Sequence, residues 1–127
     1  MNQHNHNHAE LLSDFLKEQQ HIFDSSSQAV YAFLDDGNKV CNAKFATLLE
    51  YGSPEEWAGV SAGFTEAFVD AKSQHALVSA FQGAMTRAEA ATITVTWKKK
   101  SGSTIDTTVI LVPVVYKGHV LALHFVS

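Results

Sequence analysis

The spacing of apolar residues changes along the chain, from a helical period to strand-like segments and finally to strict alternation. Over residues 10–24, apolar side chains recur three and four positions apart with polar residues between them, which predicts an amphipathic helix. Three serines at 25–27 end this pattern. Residues 29–34 and 39–41 then flank an Asp-Asp-Gly-Asn sequence, whose residue types tolerate a positive φ, so a hairpin is predicted there.

The middle of the chain returns to helical spacing. A helix with Phe45 on its apolar side is expected to stop at Gly52, and Asn42 is placed to cap its first turn. Ser53, followed by a proline and two glutamates, is a typical start of a second short helix because its hydroxyl can accept from free backbone N–H groups. A longer helical region is predicted from about residue 64 to residue 85.

The last third of the chain has the period of β-strands. Residues 91–98 alternate threonine with larger apolar residues, 105–115 are rich in β-branched residues, and 119–126 form a last apolar segment. Gly-containing turn sequences separate these segments. Two early strands, three late strands and a group of helices between them predict an α+β fold around a single antiparallel five-stranded sheet.

Both faces of the predicted sheet are apolar. In the strand that begins at residue 105, Val109 and Leu111 point to one side, while Ile110 and Val112 point to the other. A face in contact with water would carry charged residues, so something apolar must cover the outside of the sheet. We therefore expect helices on one face and the N-terminal amphipathic helix on the other. The sequence leaves open whether that helix belongs to the same subunit or to a second copy.

Composition and charge exclude several classes of function. The 127 residues suit one domain, and 13 acidic against 9 basic residues give a net charge of −4. Arg87 is the only arginine, so no nucleic-acid partner is expected. No apolar run reaches the roughly 18 residues of a membrane span, so a cytoplasmic protein without a membrane partner is expected. No familiar catalytic motif is present, and we do not expect an enzyme.

These patterns divide the chain into three parts. Residues 1–9, which include the sequence MNQHNHNH, are expected to form a disordered polar tail that resembles an affinity tag. Residues 10–25 form the amphipathic helix, and residues 26–127 form the domain itself. The single cysteine, Cys41, excludes an internal disulfide and is expected to be a small buried apolar residue.

The order of these pieces resembles that of PAS domains, the sensory fold of many signalling proteins. The resemblance covers residues 26–127 and rests on two stretches, FLDDGNKVCNAKFATLLEYGSPEEW and KKKSGSTIDTTVILVPVVYKGHVLALHF. The usual Gly-Tyr order is reversed at Tyr51-Gly52, and Asp70-Ala71-Lys72-Ser73 replaces an acidic pair. The resemblance implies a sensory or signalling domain that binds a small molecule between the inner sheet face and the helices. It also implies dimerisation or signal relay through the outer face and the N-terminal helix.

The resemblance supplies two sets of candidate residues. A core cavity for an unidentified ligand would be lined by Phe33, Asn42, Phe45, Leu49, Phe68, Leu77, Phe81, Val95, Trp97, Leu111 and Leu123. A homodimer interface would contain Leu11, Leu12, Phe15, Ile22, Phe23, Ile110, Val112 and His124. His124 is assigned to the outer face because it alternates with Leu123 and Phe125. A downstream signalling protein is a further expected partner.

Two alternatives remain at the sequence level. His75 lies where haem-binding PAS oxygen sensors carry their iron ligand, and His-x-x-Val-x-x-Phe resembles their spacing, so a haem-based gas or redox sensor is the first alternative. The arginine of those sensors is missing from the following strand, ITVTW, and a surface histidine is the simpler interpretation. The second alternative is a ligand-free interaction module whose core is filled by its own aromatic side chains.

Overall fold

The computed structural model describes residues 8–35 and 38–127, without the side chains of residues 8, 9 and 22. Five helices and five strands are formed by these residues. In chain order they are α1 (His8–Ser25), β1 (Ala29–Asp35), β2 (Asn38–Cys41), α2 (Ala43–Leu48), α3 (Pro54–Ala58), α4 (Phe64–Phe68), α5 (Ala71–Arg87), β3 (Ala91–Lys98), β4 (Thr104–Tyr116) and β5 (His119–Val126).

The strands form one antiparallel sheet in the order β2-β1-β5-β4-β3, as the α+β prediction requires. The first and last segments of the domain therefore lie side by side in the centre of the sheet, where β1 pairs with β5. Tyr31 of β1 is opposite His124 of β5, and His124 is opposite Leu111 of β4. Because residues directly opposite one another share a face, this register decides which side chains meet on each side.

The inner face of the sheet and the helices α2 to α5 enclose the main core. Its largest buried side chains are aromatic, with Tyr31, Phe45, Trp57, Phe68 and Trp97 all at most 1% exposed. Their rings approach mostly edge to face, as in the Phe45–Trp97 pair at 5.3 Å and 83°. This packing occupies the space between β1, β3 and the helices α2 and α3.

The outer face of the sheet contacts α1 of the same chain. Leu11, Leu12, Phe15 and Phe23 are buried in one cluster with residues of β1 and β5. The sheet side chains in or against this cluster are Val30, Ala32, Leu34, Val40, Val114, Tyr116, Leu121, Leu123 and Phe125. The apolar stripe of α1 and the apolar outer face are thus buried against each other.

Short helices in this chain begin where local caps are available. The Asn42 side chain accepts a hydrogen bond from the Phe45 N–H at 3.0 Å, and the Ser53 hydroxyl accepts from Glu56 N–H at 3.0 Å, so both predicted caps are confirmed. Pro54 occupies the first turn of α3.

The single long helix expected over 64–85 is wrong. It is two helices, because Val69 forms a β-bridge with Trp97 and the Asp70 N–H donates to the Thr96 carbonyl at 2.9 Å. The side chain of Asp70 then caps the start of α5. Pairing with β3 therefore interrupts a sequence that has no glycine or proline at this point.

Two further expectations concern the ends of elements. The helix α1 begins at His8, two residues before the start predicted at residue 10. Residues 1–7 and the centre of the first hairpin, residues 36 and 37, lie outside the described residues.

Within the described residues, none of the helices is both long and apolar enough to cross a membrane.

Candidate functional site

A cavity of about 270 Å³ lies between the inner sheet face and the helices α4 and α5. Its walls come from four elements: Tyr31 and Phe33 of β1, His124 of β5, the start of α4, and one side of α5. The lining residues are Tyr31, Phe33, Gly63, Phe64, Thr65, Glu66, Leu77, Val78, Phe81 and His124.

Aromatic rings form most of the apolar wall. Phe33 lies edge to face with Phe64 at 4.9 Å and with Phe81 at 5.2 Å, so it joins α4 and α5 to the sheet. Tyr31 stacks on Phe64 at 5.6 Å and 30°. Val78 is 40% exposed, a high value for a large apolar residue, and it lies at the mouth of the cavity. The wall is thus largely aromatic on the sheet side and partly exposed on the α5 side.

The floor of the cavity carries two buried polar side chains. The His124 and Tyr31 rings are stacked, with centroids 4.0 Å apart and planes 10° from parallel. The His124 Nδ1 lies 3.1 Å from the backbone carbonyl oxygen of Ala122. Since a carbonyl oxygen only accepts, Nδ1 carries the proton of the neutral ring.

Burial keeps both groups uncharged. It lowers the pKa of His124 from 6.5 to about 3, although backbone carbonyls of Ala122 and Tyr31 oppose the change. Burial also raises the pKa of Tyr31 well above its ordinary value. The floor is therefore an imidazole and a phenol that stay neutral across the physiological pH range.

The Tyr31 hydroxyl is buried without a hydrogen-bond partner in the described part of the chain. An unpaired buried hydroxyl costs free energy, because it has lost its bonds to water and gained none from protein. The Trp57 indole N–H is also unpaired, but Trp57 does not line the cavity. Tyr31 is thus the cavity-lining residue whose hydroxyl lacks a partner among the described residues.

The core beyond Tyr31 is closed by its own contacts. The Trp97 Nε1–H donates to the Thr107 hydroxyl at 2.8 Å, and that hydroxyl donates to the Val95 carbonyl at 3.0 Å. Lys39 is buried, and its ammonium lies 5.4 Å from the Trp57 ring centroid while donating to the Val60 carbonyl at 2.9 Å. These bonds fix α3 and β3 around the aromatic cluster and leave the cavity on the α4–α5 side.

The structure brings three of the predicted ligand-binding residues to this cavity, namely Phe33, Leu77 and Phe81. Five others, which are Phe45, Leu49, Phe68, Val95 and Trp97, lie in the closed core. Leu111 packs with Ala84 and Ala122 under α5.

The Asn42 side chain forms hydrogen bonds with the backbone of several elements. Its side-chain oxygen accepts from the Val30 N–H at 3.1 Å as well as from the Phe45 N–H. Its amide group donates to the Phe23 and Gln28 carbonyls at 3.2 and 2.9 Å. Asn42 therefore joins α1, β1 and α2 and does not line the cavity.

The predicted faces of β5 are wrong. His124 was expected on the outer face but stacks on Tyr31 inside, while Leu123 was expected in the cavity but packs in the outer cluster with α1. The residues of β5 do alternate between the two faces as predicted, but each set lies on the face opposite to the predicted one. The reason is that α1 needs large apolar side chains beneath it, and Leu121, Leu123 and Phe125 share the parity that supplies them.

The structure does not bring His75 to the residues that would wall a porphyrin. His75 is exposed and lines a separate groove with Ala76, Ser79 and the start of β3, whereas Leu77, Val78 and Phe81 face the cavity. The residues present therefore do not fit a haem bound through His75. Among the described residues, no group of three or more His, Cys, Asp or Glu side chains is placed to hold a metal ion.

The residues predicted for a dimer interface fall into two groups. Leu11, Leu12, Phe15 and Phe23 are buried against the chain's own sheet, and the side chain of Ile22 is outside the described residues. Ile110 is 43% exposed and Val112 is half-buried on the part of the outer face beside the α1 cluster.

Tyr31, Phe64 and Val78 line the cavity but are absent from the predicted ligand-binding set, and His124 was predicted on the opposite face. The sequence gives no signal that separates an apolar residue lining a cavity from one in the closed core, because the same residue types suit both positions. Cys41 is buried at the end of β2, as predicted, and burial raises the pKa of its thiol to about 12.

Comparisons with known proteins identify the fold. No protein-family model and no curated protein matches the sequence. A PAS domain from a two-component sensor histidine kinase has a TM-score of 0.67 at 14% identity, covering 91% of this chain and 96% of that one. A PAS domain from Colwellia psychrerythraea has a TM-score of 0.67 at 20% identity and covers 90% and 96%. The Rhodobacter sphaeroides LOV protein has a TM-score of 0.68 at 13% identity and covers 91% and 66%. The chain has the PAS fold, as the sequence resemblance predicts.

Proposed function

We propose that this chain, which has the PAS fold, is a sensory domain that binds a small molecule in the cavity between β1, β5, α4 and α5. The observation that carries the proposal is the cavity itself, whose lining is mainly aromatic and aliphatic and includes Tyr31, a residue with an unpaired, buried hydroxyl. Ligand sites are commonly of this kind, mostly apolar with a few polar groups that fix the orientation of the ligand.

The size of the cavity sets the size of the ligand. A dry engineered cavity of about 150 Å³ admits benzene, so about 270 Å³ is room for a molecule of one or two rings. Val78, which lines the cavity and is 40% exposed, marks the side on which we propose that the ligand enters.

A ligand in the cavity can influence α1 through the two central strands. Tyr31 and His124 face the cavity, while their neighbours Val30, Ala32 and Leu123 face α1 on the other side of the same strands. A shift of β1 or β5 therefore changes the packing under α1. We propose that the ligand favours one of two packings of α1 on the sheet, which is a population shift.

We also propose that the chain forms a homodimer and passes its signal to a downstream protein. The support for a dimer is the strip around Ile110 and Val112, where an apolar part of the outer face stays partly exposed beside α1. Because Leu12 and Phe15 are buried in the single chain, contact between copies is assigned to this strip and not to the apolar stripe of α1.

The test of ligand binding is mass spectrometry of small molecules that co-purify with the protein, compared between two matched variants. Val78→Trp places an indole in the mouth of the cavity, and Val115→Trp places one at a site on β4 that is 75% exposed and does not line the cavity. We expect the same small molecule from the wild type and from Val115→Trp, and much less from Val78→Trp. A molecule retained equally by all three proteins would contradict binding in this cavity.

The ligand-free interaction module is the second candidate function, and the closed aromatic core around Trp57 and Trp97 favours it. It predicts that neither co-purified nor added small molecules bind the chain. Thermal unfolding with a library of one- and two-ring compounds separates the two functions. A rise in Tm that Val78→Trp abolishes supports the sensor, whereas no change with any compound supports the interaction module.

A further inference from the structure

One residue of the cavity lining, His124, has a hydrogen-bond acceptor on its ring. The Nδ1 of His124 lies 3.1 Å from the Ala122 carbonyl oxygen, so in the neutral ring Nδ1 carries the proton and Nε2 carries the lone pair. The ring cannot turn freely, because it is 98% buried and stacked on Tyr31 at 4.0 Å.

The second polar group is compatible with the same ligand. Tyr31, which is 1% exposed, stacks on His124 and has a hydroxyl without a partner in the described part of the chain. Both groups remain neutral, since burial disfavours the charged form of each. Neither one can compensate a buried charge on a ligand.

Charge at the lining selects against ions. None of the described lining residues is a lysine or an arginine, so a carboxylate or phosphate would be buried without a cation. The one acidic lining residue, Glu66, is exposed, so water screens its charge. The cavity therefore suits an uncharged molecule.

The aromatic lining favours a flat aromatic molecule. Phe33 stands edge to face with both Phe64 and Phe81, and all three rings line the cavity. An aromatic ligand gains stacking and edge contacts there in addition to its apolar burial.

We infer that the ligand class is a small, uncharged, flat aromatic molecule that donates one N–H or O–H hydrogen bond to His124 Nε2. This inference rests on the proposed function and specifies the chemistry of the same cavity.

Three indoles test it by isothermal titration calorimetry on the full chain. Indole is uncharged and has one N–H donor, 1-methylindole lacks the donor, and indole-2-carboxylate adds a negative charge. We expect indole to bind, 1-methylindole to bind roughly 3- to 10-fold more weakly, and the carboxylate at least about 10-fold more weakly. Equal or tighter binding of the carboxylate would overturn the inference.

The His124→Phe variant assigns the acceptor, because phenylalanine keeps a flat ring against Tyr31 and removes the lone pair. In this variant indole and 1-methylindole should bind with nearly equal affinity. A preference for indole that is unchanged in the variant would show that another group is the acceptor. If the variant does not fold, the ¹⁵N chemical shift of Nε2 in the wild type shows whether this atom is the acceptor. The shift should change when indole is added and stay unchanged when 1-methylindole is added.

These outcomes separate the inference from the proposed function. Binding of charged or purely apolar compounds, abolished by Val78→Trp, would keep the sensory cavity and refute the ligand class. Failure of every indole and every other one- or two-ring compound to bind would refute both. Binding of indole that Val78→Trp leaves unchanged would place the site elsewhere and would also overturn the inference.

Discussion

At the scale of single residues, the candidate site depends on two opposite positions in neighbouring strands. Tyr31 and His124 are register partners in β1 and β5, so their rings stack on the inner face. Each brings a polar atom into a region where the surrounding side chains are apolar. Polar groups kept in such a place carry a cost in stability, and that cost is measurable residue by residue.

Replacing Tyr31 with phenylalanine removes an unpaired hydroxyl and keeps the ring contacts. We expect Tyr31→Phe to raise the free energy of unfolding of the ligand-free protein by about 1 kcal/mol, because no protein hydrogen bond is lost. Urea denaturation of both proteins measures the difference. A loss of stability of about 1 kcal/mol or more would show that the hydroxyl is already bonded.

His124 predicts a pH dependence of stability. Its pKa is about 3 in the folded chain and near 6.5 when exposed, so between these values the unfolded state binds a proton that the folded state does not. Stability therefore falls as the pH is lowered through this range. From about pH 7 to about pH 5, His124 should account for a loss of roughly 2 kcal/mol in the free energy of unfolding.

The His124→Phe variant is the control for this prediction, since it lacks the titrating group but keeps all carboxylates. The difference between wild type and variant should shrink or reverse as the pH falls. Parallel pH profiles for the two proteins would mean that His124 does not change its pKa on folding.

At the scale of elements, α1 is joined to the domain by an apolar stripe and by polar contacts at the β4–β5 turn. The Tyr116 hydroxyl donates to Glu18 at 2.7 Å, and the Lys117 ammonium lies 3.1 Å from Asp14. The contact with Asp14 raises the pKa of Lys117. These exposed pairs orient the helix, whereas the buried stripe supplies most of the stability.

Truncating one residue of the stripe should therefore destabilise the whole chain. We expect Leu12→Ala to lower the free energy of unfolding by about 2–5 kcal/mol, because Leu12 is 2% exposed beneath the helix. Lys17→Ala, on the exposed side of the same helix, should change it by no more than about 0.5 kcal/mol. Chemical denaturation monitored by circular dichroism measures both. Equal effects of the two variants would mean that α1 is not packed on its own sheet.

Most element boundaries followed from local signals in the sequence, and the exceptions have a tertiary origin. The caps at Asn42 and Ser53 and the alternation in β3 can be predicted from residues that are close to one another in the sequence. The break between α4 and α5 is not, because it is produced by pairing of Val69 with Trp97, which is distant in sequence. The cavity was predictable only in part for a similar reason. Both parities of β5 are apolar enough to face a core, so alternation alone did not decide on which side His124 lies.

At the scale of the whole molecule, the sheet separates the cavity from α1, and both sides are apolar. This arrangement is the one expected from the two-sided hydrophobic pattern of β1, β4 and β5. It leaves the strip around Ile110 as the part of the outer face where a second copy is proposed to pack.

Introducing a charge into this strip tests the proposed homodimer. We expect Ile110→Glu to shift the chain toward monomer in sedimentation velocity while leaving the fold intact, since Ile110 is 43% exposed. Val115→Glu, at an exposed position near the end of β4, is the matched control and should not change the oligomeric state. A wild type that is monomeric at all concentrations would contradict the proposal.

The central claim is that the cavity between β1, β5, α4 and α5 binds a small molecule, and an NMR titration of the isotopically labelled chain with indole tests it most directly. The account predicts saturable shifts concentrated at Phe33, Leu77, Val78 and His124, with smaller changes along α1. Shifts confined to the groove at His75, or no shifts at any indole concentration, would contradict it.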